Sequence, residues 1–339
     1  MTHKRATLAQ VAAQAGVSMA TVSKVLNGRD DVAAATRSRV QAVIDEVGYE
    51  TPGRRREAPA GPRLIDFVCE ELDSDYALEV LRGVVEAASE IDVDIVVSQA
   101  RTDRVDSGAW ARRLADAGRT GMVLITSRMT VAELAEFRRL GMPVVVVDPF
   151  SPIDEGFVSV GSTNWAGGRA ATDHLADLGH RRIAYIGGPE VAECHVARLH
   201  GYLASLRAHG IEPRADYVIP GTFHPESGVA GMAALMDLAE PPTAIFAASD
   251  SIAVGVFEEA ARRGLRIPED VSVIGFDGTA LGLRTIPPLT TVAQPLRDIG
   301  HAALRLVLEQ SRDGLLDSHH MELATTLIPR ASTAEPARG

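Results

Sequence analysis

The stretch Thr7-Leu8-Ala9-Gln10-Val11-Ala12-Ala13-Gln14-Ala15-Gly16-Val17-Ser18-Met19-Ala20-Thr21-Val22-Ser23-Lys24-Val25-Leu26-Asn27-Gly28 decides how the chain begins to fold. Leu8, Val11, Ala12 and Ala15 recur at helical spacing behind Thr7, a good N-cap, and stop at Gly16. Glycine there can adopt the left-handed conformation of a tight interhelical turn, which Val17 plugs from its apolar side. Ser18 caps a second helix, about 19–27, that buries Val22, Val25 and Leu26 and stops at Asn27-Gly28. A third helix starts near Thr36, turns Val40, Val43, Ile44 and Val47 inward, and stops at Gly48. This spacing predicts a helix-turn-helix, whose outward face from Ser18 through Asn27 carries short or hydrogen-bonding groups suited to a DNA groove.

Charge supports that reading. Net charge is −11 overall, yet residues 1–63 carry ten Lys/Arg against six acids, leaving a +4 head on a −15 body. A basic head suits phosphate neutralisation, and an acidic body suits a part that avoids DNA. The chain of 339 residues is 46% hydrophobic, enough for two or three cores. The basic start, Met1 to Arg5, is followed by polar-interrupted helical periodicity rather than a secretory segment, and no apolar run approaches the roughly eighteen residues of a membrane span. The only cysteines, Cys69 and Cys194, lie too far apart in sequence to read as a disulfide framework or zinc pair. A reducing, cytoplasmic location is expected.

From Leu64 the pattern changes to α/β. Short β-branched runs at 64–69, 93–97, 121–125 and 144–147 alternate with helices near 76–90, 106–117 and 130–139, which predicts a doubly wound lobe. A second series has strands near 182–186, 217–219, 243–246 and 271–275 and helices near 165–178, 194–209, 226–238 and 250–263. Leu289 to Val292 then precede a helix near 296–309 that returns to the first lobe. Two such lobes face each other across a cleft at their strand C-termini. No phosphate loop, nucleophile elbow or His-Glu-x-x-His pattern occurs, and the ten histidines show no ligand spacing. Neither an enzyme, a cofactor nor a metal is expected.

The residues quoted from the head, together with Val32, Thr36-Arg37, Val40 and Gly48-Tyr49, resemble the LacI/GalR repressor family. In the body so do Leu178 to Ala184, Ile186 to Pro189, Arg198 to Tyr202, Pro242 to Ile245, Val271 to Asp277 and Pro287 to Gln294. The resemblance implies a transcription repressor: a three-helix head, 1–50; a linker, 51–63; and a periplasmic-binding-protein-like effector domain, 64–330. Within that domain lobe 1 spans about 64–161 and 293–324 and lobe 2 about 162–292 and 325–330, with 331–339 a flexible tail. It implies that Met19 and Ala20 read base edges, that Lys24 contacts the major groove, and that Thr7, Ser18, Thr21, Ser23 and Asn27 lie near phosphates. It places Tyr76, Asp148, Cys194, Arg198, Phe223, Ser249, Asp277 and Gln294 around a small-molecule effector such as a sugar. Arginine and carboxylates suit vicinal hydroxyls, and aromatic rings suit a sugar's apolar face. Asn164 could cap the helix that it begins, and Trp165 reads as packing.

Two departures stand out. The family's leucine-bearing hinge helix is replaced by Glu50-Thr51-Pro52-Gly53-Arg54-Arg55-Arg56-Glu57-Ala58-Pro59-Ala60-Gly61-Pro62, with too many helix breakers for more than about a turn and a half. Arg54, Arg55 and Arg56 either grip phosphates or a narrow minor groove, or form a solvated linker. The tail has no leucine heptads, so a homodimer on a pseudo-palindromic operator is expected rather than a tetramer.

Overall fold

The computed structural model describes residues 7–26, 32–47, 63–100, 106–126, 128–150, 157–313 and 319–337. Asn27-Gly28, Gly48-Tyr49 and the linker with Arg54, Arg55 and Arg56 lie outside them, as do the side chains of Leu26 and Val47. The chain divides into two compact units, 1–62 and 63–339.

In the first unit, α1 (Leu8–Ala15), α2 (Met19–Leu26) and α3 (Ala34–Val47) follow one another. Thr7 Oγ1 accepts from the Gln10 N–H at 3.3 Å while Gln10 Oε1 accepts from the Thr7 N–H at 2.8 Å, a reciprocal cap. Gly16 takes φ 63°, the left-handed turn expected of it. Ser18 Oγ accepts from the Thr21 N–H at 3.1 Å and so caps α2. Val11, Ala12, Ala15, Val22, Val25, Val40 and Ile44 form the core.

The second unit holds two sheets. Its first half runs β1 (Arg63–Cys69), α4 (Asp75–Ser89), β2 (Val93–Gln99), α5 (Ser107–Asp116), β3 (Arg119–Ile125), α6 (Val131–Arg139), β4 (Val144–Val147) and β5 (Val158–Ser162). It continues through α7 (Asn164–Asp177), β6 (Ile183–Ile186), α8 (Glu193–Ala208), β7 (Val218–Ile219), α9 (Pro225–Met236), β8 (Ala244–Ala247), α10 (Asp250–Arg262), β9 (Ser272–Asp277) and α11 (Leu281–Arg284). The last elements are β10 (Thr290–Ala293), α12 (Leu296–Asp313), β11 (His319–Leu323) and β12 (Thr326–Ile328). Lobe 1 is the parallel sheet β11-β5-β4-β3-β1-β2, and lobe 2 is β12-β10-β9-β8-β6-β7, parallel except for β12. The chain crosses between lobes after β5, after β10 and after β11. Sequence reading found neither β5 nor the two strands near the C-terminus.

Helices within each lobe approach through glycine. In lobe 2 a Cβ on Gly168 would lie 2.4 Å from the carbonyl oxygen of Arg198, and one on Gly201 would lie 2.2 Å from that of Trp165. In lobe 1 Gly83 and Gly300 face the Arg297 and Val80 carbonyl oxygens at 2.1 and 2.3 Å in the same reciprocal way. These helix pairs meet backbone to backbone, and the first meeting seats Arg198.

The expected flexible tail is corrected for its first residues. Ser332 is fully buried; its Oγ donates to Val273 O at 2.6 Å and accepts the Thr290 N–H at 2.7 Å. Ala334 N–H donates to Ser272 Oγ at 3.0 Å, and Ala334 O faces His180 Nε2 at 2.9 Å. A serine that satisfies two buried backbone groups of adjacent strands holds this segment on lobe 2.

Gly201→Ala is expected to destabilise the protein by about 1–3 kcal/mol, because the added methyl meets backbone that no rotamer change can clear. The urea unfolding midpoint, compared with that of the parent chain, measures this.

Candidate functional site

On α2 Val22 and Val25 are buried in the core, whereas Met19, Ala20 and Lys24 are exposed. Met19 is 55% exposed. Thr7, Ser18, Ala20 and Lys24 are exposed, and Thr21 and Ser23 are half-buried. Thr7 and Ser18 accept at their hydroxyl oxygens as helix caps.

In the second unit a cavity of about 680 Å³ opens between the lobes, lined by Tyr76, Asp148, Cys194, Arg198, Phe223, Ser249 and Asp277 among others. Seven of the eight residues expected there from sequence are thus brought together. The eighth, Gln294, is not in the lining. It sits behind Asp277, donating from Nε2 to Asp277 Oδ1 at 2.7 Å and accepting at Oε1 from Ser162 Oγ at 2.6 Å.

Arg198, only 3% exposed, is the centre of the cleft. Its Nε donates to Asn164 Oδ1 at 2.8 Å and its NH1 to Ala248 O at 2.6 Å, with Asp277 Oδ1 at 3.6 Å. The guanidinium lies 3.9 Å from the Phe276 ring centroid and 5.9 Å from that of Phe223. Burial works against its charge, but the surrounding acidic groups more than offset it, so it stays protonated. Asn164 is therefore an arginine partner and not a helix cap. Trp165 is 45% exposed on α7 beneath Arg169, outside the cavity and outside the core. Ser249, although in the lining, caps α10 by accepting from the Ile252 N–H at 3.1 Å.

The carboxyls are held high. Burial, opposed by Arg198, pushes Asp277 up to about 7, and burial, opposed by the Tyr76 hydroxyl that donates to it, raises Asp148. Asp250, below the cleft floor, is pushed up to about 6 by burial although Thr279 and Thr291 donate to it at 2.7 and 2.6 Å. Cys194 is pushed up by burial to about 11, which makes it a neutral wall. His195 falls to about 4 through burial; neutral, it accepts the Gly188 N–H at Nδ1 at 3.0 Å. Among the described residues the three non-glycine residues with positive φ, Thr126 at 42°, Asp148 at 42° and Asp277 at 109°, all line the cavity. Strained backbone of this kind clusters at functional sites in proteins generally.

Sequence reading missed the rim. The loop between β1 and α4 contributes Glu70, Glu71 and Asp73, and lobe 1 adds Arg128 and Phe150. Arg128 lies 4.5 Å from the Phe150 ring centroid, and His224 of lobe 2 meets Glu71 of lobe 1 at 3.2 Å across the mouth. A loop of acids after a strand looks like a solvated turn, and only the second lobe's position makes it a wall. Among the described residues no group of His, Cys, Asp or Glu is arranged to hold a metal.

Comparison with known proteins agrees with both units. The chain matches the LacI family of bacterial regulatory proteins over residues 7–52 and the periplasmic binding protein-like domain over 172–333. It is 35% identical to the transcriptional repressor CytR of Escherichia coli K12, over 97% of this chain and 96% of that one. It is 34% identical to the transcriptional regulator CelR of Thermobifida fusca, over 97% and 99%. Among solved structures, a CelR–cellobiose complex superposes with a TM-score of 0.73 at 33% identity, covering 97% of this chain and 100% of that one. The lac repressor dimer bound to operator and an anti-inducer gives 0.70 at 26% identity, covering 98% and 100%. These relatives are transcriptional regulators, not enzymes.

The raised carboxyls fix a pH dependence. Between the unfolded carboxyl value near 4 and about 7, the unfolded chain has released the Asp277 proton while the folded chain keeps it. Asp277 therefore contributes stability that is full below pH 4 and falls as pH rises toward 7. Asp277→Asn is expected to flatten that part of the stability profile, as measured by thermal unfolding from pH 4 to 8.

Proposed function

Because the chain belongs to the LacI family of bacterial regulatory proteins, we propose that it is a ligand-responsive transcriptional repressor. In this reading a dimer binds a pseudo-palindromic operator, and a small sugar or related polyol held between the lobes controls operator affinity. The observation that carries the proposal is one chain holding both an exposed α2 face on a basic head and a cleft built around a buried arginine between raised carboxyls. Work on chromosomal DNA supports a cytoplasmic location; among the described residues no helix is long and apolar enough to cross a membrane.

Residues 1–50 are the DNA-binding domain, 51–63 the linker and 64–330 the effector domain, to which 331–334 also belong. Met19 and Ala20 offer only apolar contact, suited to thymine methyls, whereas Lys24 can donate to guanine acceptors or to phosphate. Thr7, Ser18, Thr21, Ser23 and Asn27 are assigned to phosphates, and Arg54, Arg55 and Arg56 to the DNA backbone or minor groove. In the cleft Arg198, Asp148 and Asp277 bind hydroxyls, Tyr76 and Phe223 stack on the ring, and Cys194 and Ser249 close the wall. The solved relative with cellobiose supports a sugar as ligand. A ligand held by both lobes favours the closed cleft, and the closure alters the spacing of the heads.

Two experiments test this. Selection from random DNA is expected to return a palindromic motif that changes for Met19 and Ala20 variants, whereas Lys24→Ala weakens binding; an unchanged motif for both variants removes them from base readout. Thermal-shift screening of mono- and disaccharides is expected to find a stabilising ligand. That ligand should change operator affinity roughly five- to 150-fold, and Arg198→Ala should abolish the change while leaving operator binding intact. A ligand that binds the cleft without altering operator affinity at any concentration overturns the regulatory reading.

A further inference from the structure

Three connections join the lobes: 162–164 after β5, 293–296 after β10 and 323–326 after β11. Two polar routes lead from the cleft into them. Asp277 is bonded to Gln294, which begins the second connection's turn toward α12, and Gln294 in turn takes the Ser162 hydroxyl. Arg198 is bonded to Asn164 Oδ1, and Asn164 Nδ2 donates to the Ser162 carbonyl at 3.1 Å. Both routes end on Ser162, which is 1% exposed. The next residue reaches the third connection, since Thr163 N–H donates to Leu323 O at 2.9 Å and Thr163 Oγ1 accepts the Thr325 N–H at 3.0 Å.

We infer that Ser162 and Gln294 are positioning residues that carry a change at Asp277 into the strands joining the lobes, and that Gln294 is not a ligand contact. The inference rests on the cleft being the effector site. Gln294 is held at both ends of its amide and also through its main chain, whose N–H donates to Asp277 O at 3.0 Å. At 6% exposure no water can replace either side-chain bond without a new cavity. A flipped amide would require both neighbours to reverse roles, the Ser162 hydroxyl accepting from the NH2 and a protonated Asp277 donating to the oxygen. A ligand hydroxyl that draws the Asp277 carboxyl into the cleft thus draws Gln294 and the Ser162 hydroxyl with it. Spatial adjacency alone does not establish coupling, so the test measures the coupling itself.

Hydrogen exchange on the full chain, with no ligand added, tests this by making Asp277→Asn the perturbation and the Thr163 amide the reporter. In the parent chain Asp277→Asn is expected to change Thr163 exchange by roughly fivefold, the scale of one buried hydrogen bond. In a Gln294→Leu background the same substitution is expected to change Thr163 exchange less than in the parent chain, the remainder passing through Arg198 and Asn164. The Val123 amide in β3 reports global opening and normalises both. If Gln294→Leu does not fold, Ser162→Ala, which removes one hydroxyl, is expected to weaken the response in the same way. An equal Thr163 response with and without Gln294 or Ser162, or none in the parent chain, overturns the inference. Failure of every sugar to stabilise the protein would strike the effector reading instead and leave this result standing.

Discussion

The cleft depends on a buried positive charge. A guanidinium removed from water costs several kcal/mol unless it is paired and hydrogen-bonded, and Arg198 has no freedom to reach solvent once Gly168 and Gly201 bring α7 and α8 together. Its partners are therefore dictated. An amide from the first lobe connection, a carbonyl at the end of β8 and the Asp277 carboxyl at the end of β9 converge on it, and Phe276 covers one face. Each lies within two residues of a strand C-terminus, where a doubly wound sheet directs its loops. The cavity is the unfilled remainder of that arrangement.

Much of the fold was legible because it rests on local signals. Thr7, Gly16 and Ser18 punctuate the head as their chemistry requires, and the lobe strands read as unbroken β-branched runs since both faces of a parallel sheet are buried. β5, Val158-Ser159-Val160-Gly161-Ser162, escaped because small and polar residues interrupt it. A Cβ at Gly161 would lie 2.7 Å from Asp148 Oδ1. The last strands escaped because His319, His320 and Glu322 give no apolar run, although β11 closes the lobe 1 sheet beside β5.

The site divided along similar lines. Arg198, Asp148 and Asp277 could be carried from family pattern onto the cleft. The direction in which Gln294 faces could not, because it is decided by Ser162, which is 132 residues away in sequence. Asn164 looked like a cap for the same reason: its arginine partner lies on another helix. The rim acids needed a second lobe to become a wall.

The glycine-mediated helix contacts have a mechanical consequence. Where two helices touch through their main chains, no side chain lies between them to switch rotamer, and the interface has no soft coordinate along which to slide. Each lobe is in this respect a stiff solid. Elastic compliance is then concentrated in the three thin connections, so a small force applied at the cleft produces rotation of one solid against the other and not diffuse deformation within either.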